Sequence, residues 1–387
     1  MYQYRLYPSK NQKERIINSF KTCKSIYNEL LALNIDSWKF GKVSLNGFDC
    51  NKYLSGKYSS IHSQVKQNVS DRVHKAFQNF FRRVKDKSCK GKGFPRFKSR
   101  INSITFPQSG FKFVNERRLY ASKIGNIPIV LHRVPRGKIK TLTIKVNKAW
   151  QWFACFSCEL PDVKVVHPSK EKVGIDVNSR DNICFLSNGE SFDNPKFLIK
   201  SEKKLKRLHK QLSRKKKGSK NRSKARFRLS RQYVKVTNQR TDFLHKLSRS
   251  LTTRYGIIAV EDLNIKSMIS DSYNSKFIHD ASWGTFINML SYKAINVGGQ
   301  LLKNPKTRGS SHRCNKCGFY VEDMPLSRKI FKCPECLNVC HRDLNASNNH
   351  LKDTVGLTEI STPVDIEPLP SKLKASSVVE SGTTYGK

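Results

Sequence analysis

The spacing of apolar residues along the chain switches between two periods, and each period predicts a different kind of element. Tyr2 to Tyr7 alternates polar and apolar side chains, which predicts a short strand ended by Pro8. Ser9 with Gln12 forms a capping-box signature. Behind it Ile16, Ile17, Phe20, Cys23, Ile26, Tyr27, Leu30 and Leu31 recur at the spacing of one helix face. A second stripe, from Ile61 through Val65, Val69, Val73 and Phe77 to Phe80 and Phe81, predicts another helix that ends on Arg82 and Arg83. Over 103–160 the period shortens. SITFP, RLYAS, PIVLH, TLTIKV and WFACFSCEL are strand-like runs divided by turn residues, the pattern of a small barrel or sandwich.

From Lys172 the runs VGIDVN, NICFLSNG and ESFDN predict three short strands joined by turns. Residues 196–250 read as a basic helical stretch, with Leu205, Leu208 and Leu212 on one face and a break at Gly218 that predicts a hairpin. YGIIAVEDLN (255–264) is a continuous apolar run ending in acids, as a buried parallel strand would be. Trp283 to Leu302 predicts an amphipathic helix. Residues 353–387, rich in Ser, Thr and Pro and without a period, predict a disordered tail.

Charge narrows the function. The 387 residues carry 74 Lys and Arg against 29 Asp and Glu, a formal net charge of +45. A compact chain with that excess repels itself unless a polyanion screens it, so nucleic acid is the expected partner. A membrane partner is not expected, because no apolar run approaches the length of a bilayer span and MYQYRLYPSKNQ lacks the apolar core of a signal peptide. Eleven unevenly spread cysteines suit a reducing compartment rather than a disulfide framework.

Four of those cysteines have metal-ligand spacing. Cys314-x2-Cys317 is followed after fifteen residues by Cys333-x2-Cys336, which predicts a tetrahedral structural Zn²⁺ site with no open position. Cys340 and His341 are spare candidates. Cys155 and Cys158 share the CxxC spacing but sit in a strand-like run without a matching pair, and read as packing residues.

Three carboxylates stand out by position. Asp176 lies inside an apolar strand, where a charge is costly unless it is paired or metal-bound. Glu261 ends the strand GIIAV, and Asp343 opens a helix. Taken singly, Glu261 could be strand-end solvation and Asp343 an N-cap. Taken in order, they fit an RNase H-like fold, whose three acids meet at one sheet edge and hold two Mg²⁺. The run 200–231 carries Glu202 as its only acid, and such a single-sign run reads as a phosphate-binding wall rather than an ordinary solvated face, which mixes signs.

These residues resemble the TnpB family of transposon-encoded RNA-guided nucleases, relatives of the type V CRISPR effectors. The likeness runs from about Tyr2 to Lys352. It rests on YRLYPSKNQ, IYN at 26–28, FFRR at 80–83, GFPRFKSR at 93–100, GID at 174–176, VEDLN at 260–264, SSHRCNKCG at 310–318, CPEC at 333–336 and RDLNAS at 342–347, in that order. The resemblance implies an α/β multi-domain chain with a RuvC-type, RNase H-like nuclease domain over 166–306 and 341–352, carrying 196–250 as a basic helical insertion. A zinc ribbon would occupy 307–340. A β-barrel wedge domain (1–10 and 101–165) would be interrupted by a helical recognition lobe (11–100).

It further implies Asp176, Glu261 and Asp343 as a metal-binding triad that cuts target double-stranded DNA beside a short flanking motif, directed by a guide RNA from the transposon end, with structural Zn²⁺ and catalytic Mg²⁺. Arg82, Arg83, Phe94, Arg96, Phe97, Lys98, Lys204, Arg207, Lys215, Lys216 and Arg342 are the candidate nucleic-acid contacts, although the loop 94–98 could equally be ordinary packing. The chain departs from the family in three places: Asn178-Ser179 stand where a Leu-Gly-like turn is usual, His341 replaces an acid, and Leu337 replaces a knuckle glycine. Two rival readings share the same acids, a guided DNA-binding repressor that no longer cuts and a strand-joining transposase. The expected setting is the cytoplasm, at the nucleoid, of a prokaryotic or viral host. Guide, flanking motif and oligomeric state are not encoded in any motif.

Overall fold

The structure, a computed structural model, describes residues 1–360 apart from 42, 44, 90, 162–164, 272–274, 305–308 and 326–327, with side chains through 355. The chain folds as two compact units, 1–163 with 207–234 and 164–206 with 235 onward. No helix among the described residues is long and apolar enough to cross a membrane.

The first unit opens with strand β1 (Tyr2–Leu6) and the long helix α1 (Lys10–Gly41). The capping box forms as its residues predict: Ser9 N–H donates to Gln12 Oε1 at 2.9 Å and Gln12 N–H to Ser9 Oγ at 3.3 Å. Helices α2 (Gly47–Tyr53) and α3 (Ser63–Lys85) follow. The strands are β2 (Ser103–Pro107), β3 (Phe111–Asn115), β4 (Arg118–Ala121), β5 (Gly125–Val130), β6 (Lys138–Val146) and β7 (Trp152–Glu159). Together with β1 they form a seven-stranded sheet in the order β2-β6-β7-β1-β5-β4-β3. Alternation on β1 buries Tyr4 and Leu6 against Phe106, Phe156 and the apolar stripes of α1 and α3.

Two expectations change here. Strand β3 was hidden in FKFVN, because its burial does not alternate cleanly. The expected barrel is not closed by hydrogen bonds among the described residues: β2 pairs only with β6 and β3 only with β4. Instead the sheet rolls, and Phe111 and Phe113 of β3 pack on Phe156 of β7 with ring centroids 6.2 and 5.1 Å apart.

The second unit is built on β8 (Lys172–Val177), β9 (Asn182–Leu186), β10 (Ser191–Asp193), β11 (Ile257–Glu261) and β12 (Gln300–Asn304). Their order is β10-β9-β8-β11-β12. The first three form an antiparallel meander, and β11 runs parallel to both β8 and β12. Between β10 and β11 lies the predicted hairpin, α4 (Phe197–Ser213) and α5 (Lys220–Arg254), turning at Gly218 with φ 85°. Residues 207–234 group with the first unit and the remaining residues of the two helices with the second. That tip is closed on itself by a 2.8 Å bond between His209 and Tyr233 and by Arg222 donating to the carbonyls of Leu212 and Lys215.

Helices α6 (Ile265–Asp271), α7 (Ser275–Ala281) and α8 (Trp283–Asn296) connect β11 to β12. The helix expected to reach Leu302 stops at Asn296, because the chain reverses at Gly298 with φ 78° and Leu301 and Leu302 join β12. The strands β13 (Ile330–Lys332) and β14 (Val339–His341) form a small separate ladder, and α9 (Arg342–Ile360) ends the described chain. Helix α9 therefore runs into the stretch expected to be a tail, with Thr354 buried; 361–387 lie outside the described residues.

Helix α9 lies against β8 at closest approach over Gly174. A Cβ there would sit 1.9 Å from the carbonyl oxygen of Ser347, so only glycine admits the helix at this height.

Candidate active site

Parallel pairing puts two acids side by side. Val260 pairs with Ile175, so the next residues, Glu261 and Asp176, emerge together at the carboxyl ends of neighbouring strands. This is where open α/β sheets place their ligands. Helix α9 supplies the rest. Its first turn carries Asp343 and, two turns further along the same side of the helix, His350.

The structure brings Asp176, Glu261 and His350 into one group, each offering a ligand atom within 4.8 Å of the others. His350 is fully buried, and its Nε2 lies 3.8 Å from Asp176 Oδ1 and 3.9 Å from Glu261 Oε2. Asp343 is not a member of this close group. Its Oδ2 accepts from Asn178 Nδ2 at 3.1 Å, and its Oδ1 faces Arg342 Nε at 3.3 Å. Its backbone N–H donates to His341 Nδ1 at 3.2 Å, while the His341 ring stacks on Phe185 at 5.0 Å and 6°.

The electrostatics suit a cation. Burial pushes the Asp176 carboxyl above the usual range; the facing imidazole of His350 pulls it back, and the negative charge of Asp343 raises it further. Burial likewise pushes Glu261 up to about 7, opposed by His350 and reinforced by the charge of Asp176. Two clustered carboxylates, each pushed toward its neutral form by burial, are what a divalent metal would relieve. The two carboxylates therefore fit a hard-metal site, and the Nε2 of His350 that faces them is buried without a hydrogen-bond partner. A cleft of about 410 Å³ opens beside Glu261, lined by Ile265, Gly284, Ile287 and Ser291, with Asp262 held by Lys303 at 2.7 Å on its rim.

The four spaced cysteines also meet. Cys314, Cys317, Cys333 and Cys336 form one cluster, with Sγ–Sγ separations of 3.6 Å for Cys314–Cys336 and 3.5 Å for Cys317–Cys333. Tetrahedral thiolates at a Zn–S bond of about 2.3 Å stand about 3.8 Å apart, so the set fits zinc. Although burial opposes it, backbone N–H groups of Cys317 and Lys316 lower the Cys314 thiol to about 6. Cys340 stays outside the cluster, on β14. Gly318 and Leu337 follow the two CxxC knuckles, both in the left-handed region, with φ 82° and 55°.

Cys155 and Cys158 lie on β7, the first buried, as packing residues would. Of the expected nucleic-acid contacts, Phe94 and Phe97 are exposed, and Phe94 also stands edge-on to Phe77 and Phe80 at 5.7 and 5.1 Å. Arg83 braces this loop by donating to the Gly93 carbonyl at 2.7 Å, and Lys98 lies 5.5 Å over the Tyr27 ring. Arg82, Arg96, Lys204, Arg207, Lys215 and Lys216 are exposed on helices or loop. His350 was missed in the sequence. Its signal was the seven-residue step from Asp343, which returns to the same side of a helix, but only the fold shows that this side faces Asp176.

Residues 155–271 match the OrfB_IS605 family model, described as a probable transposase, and 283–350 match a Cas12f1-like TNB domain. Residues 1–42 match a model described as a helix-turn-helix domain, although here they form β1 and the single helix α1. A protein of Streptomyces pristinaespiralis named "Putative RNA-guided DNA endonuclease" is 29% identical over 363 residues, covering 90% of this chain and 88% of that one. Its counterpart InsQ in Escherichia coli K12, with the same description, is 28% identical over 377 residues, covering 90% and 91%. A TnpB-like protein of Methanocaldococcus jannaschii is 30% identical over 131 residues, covering 33% and 30%. The Cas12f1 chain of a cryo-EM complex with sgRNA and target DNA shares the fold, with a TM-score of 0.56 at 16% identity over 88% of this chain and 82% of that one. With its motifs in order and its relatives aligned along nearly its whole length, the chain is similar throughout to proteins named as putative RNA-guided DNA endonucleases and, over 155–271, to the OrfB_IS605 family.

Proposed function

We propose that the protein is the RNA-guided DNA endonuclease of a transposon, with its nuclease site at the C-terminal ends of β8 and β11. The observation that carries the proposal is the meeting of Asp176 and Glu261 on neighbouring parallel strands, with Asp343 on the helix laid across them. The strand order β10-β9-β8-β11-β12, an antiparallel meander continued by parallel strands, supports an RNase H-like assignment for this unit.

In this reading Asp176, Glu261 and Asp343 hold the divalent metals, and the cysteine cluster holds zinc as a structural ion. Bound Mg²⁺ would supply Lewis-acid activation of water and stabilisation of the leaving oxygen of a phosphodiester. The chain's own groups do the placing. Asn178 and Arg342 fix the Asp343 carboxylate from two sides. Arg342 also supplies positive charge beside the scissile phosphate as negative charge develops there. The rolled sheet and α1–α3 would serve as wedge domain and recognition lobe, gripping the guide RNA and reading the flanking motif. Base pairing would select the target sequence. The aromatic–cation loop 94–98 and the hairpin cations Lys204, Arg207, Lys215 and Lys216 would contact the nucleic acid backbone.

The test is expression with the native downstream flank, followed by sequencing of the RNA that co-purifies. A discrete RNA with a fixed scaffold and an end reading into the flank is expected. It should direct Mg²⁺-dependent cutting by the wild type and none by Asp176→Ala. Heterogeneous RNA displaced by moderate salt, or cutting that survives the substitution, would defeat the proposal.

A further inference from the structure

A chain of polar side chains leads from the cysteine ribbon to the paired carboxylates. Arg313, next to the first zinc-ligand candidate, is paired through Nη2 with Oδ2 of Asp353 on α9. The same carboxylate oxygen accepts from Nδ2 of Asn304, the last residue of β12, at 3.1 Å. A carboxylate can only accept, so the Asn304 atom facing it is the amide nitrogen and not the amide oxygen. That nitrogen also lies 3.4 Å from Nδ1 of His350. Facing a donor, Nδ1 must accept, and the neutral imidazole then carries its proton on Nε2.

Nε2 is the atom aimed at Asp176 and Glu261. It is buried without a hydrogen-bond partner, at 3.8 and 3.9 Å from the two carboxylates. Those distances are too long for a hydrogen bond, and either acid needs to move by only about 0.8 Å to accept the proton within normal range. A metal ligand would need a bare Nε2, whereas a proton there makes the ring a donor to the acids.

We propose that His350 is a positioning residue that orients Asp176 and Glu261 by donating Nε2–H to them, with its tautomer imposed from the zinc ribbon through Arg313, Asp353 and Asn304. The ribbon thus fixes the aim of the carboxylates without touching them. This deepens the nuclease reading and rests on it for the identity of the site, but the tautomer itself is independent of any metal.

The experiment uses the full-length, zinc-loaded protein labelled with ¹⁵N-histidine, observed by long-range ¹H–¹⁵N correlation. His350 is expected as the Nε2–H tautomer before and after addition of Mg²⁺. Asp353→Asn, which lets the Asn304 amide turn over, should give mixed tautomers with zinc still bound. An Nδ1–H tautomer, or an Nε2 signal that becomes metal-bound on adding Mg²⁺, overturns the proposal and makes His350 a ligand.

Mn²⁺ titration supplies the second readout. His350→Leu should weaken binding about tenfold or more, the usual cost of losing a group that orients metal ligands. His350→Gln, which keeps a donor, should recover most of that loss. Equal binding by all three proteins, or equal loss in both variants, would also overturn the proposal. Failure of the wild type to bind Mn²⁺ would sink the nuclease reading instead, while the tautomer would still decide the role of His350.

Discussion

Asn178 donates its side-chain amide to Oδ2 of Asp343 across 165 residues of sequence, at 3.1 Å. The carbonyl of the same asparagine accepts the indole N–H of Trp283 at 2.9 Å, so its position is held from the other side. The departure from the family's usual turn at 178–179 therefore supports the last acid of the proposed triad. Hydrogen bonds to a charged group contribute about 1.5–3 kcal/mol. Asn178→Ala should lower the cleavage rate about tenfold or more while melting close to the wild type. An unchanged single-turnover rate would show that Arg342 alone suffices to hold Asp343.

Metal binding should release protons in a defined pH window. The folded-state value of about 7 for Glu261 lies above the value of about 4.3 for an unfolded chain. The metal-free fold therefore holds an extra proton on Glu261 between those values. The stability this provides is full below about 4.3 and lost as pH rises through 7. A divalent ion demands the carboxylate form. Mg²⁺ binding should release close to one proton from Glu261 at pH 6 and close to none from Glu261 at pH 8, with Asp176 adding in the same direction. Calorimetry in buffers of different ionisation heat measures this, and equal release at both pH values would contradict it.

Zinc and cutting should be lost together. The ribbon entry is fastened to α9: Asn345 and Asn349 each donate to the Arg313 carbonyl at 2.6 Å, and Asn349 also reaches the Ser310 carbonyl at 2.7 Å. Cys333→Ser should abolish stoichiometric zinc, lower the melting temperature and reduce cleavage at least tenfold. Metal analysis alongside the cleavage assay tests this. Full cleavage by a zinc-free protein would mean that α9 docks without the ribbon.

The second knuckle should be improvable. Leu337 is 79% exposed and adopts φ 55°, a conformation that costs a side-chain-bearing residue about 1–2 kcal/mol. Leu337→Gly should tighten zinc binding by about 1 kcal/mol, roughly fivefold. Competition with a chromophoric chelator would read the change, and weaker binding would show that the leucine side chain contributes more than its backbone costs.

What the sequence revealed was whatever local spacing controls. The four cysteines, the capping box at Ser9 and the hairpin break at Gly218 each depend on neighbours a few residues away, and each formed as expected. Asp176 was visible because a charge in an apolar strand requires an explanation. His350 was not visible, since its meaning comes from a tautomer set by Asn304 and from acids on two distant strands. The strand β12 was absorbed into a helix prediction because Leu301 and Leu302 continue an apolar pattern, and only the glycine reversal at Gly298 separates them. In the tail, composition pointed to disorder from residue 353, whereas the buried Thr354 shows packing against the fold prolonging α9.

Insertion of the ribbon between β12 and α9 also has a consequence for the protein's own synthesis. Asp176 is translated near the middle of the chain, but α9, which carries Asp343 and His350, begins only at Arg342. At 5–20 residues per second that gap lasts roughly 10 to 30 s. In the proposed reading a nascent chain therefore cannot cut until α9 has been translated, and a premature stop anywhere in the ribbon yields a protein that keeps the proposed RNA-binding unit but lacks a complete nuclease site.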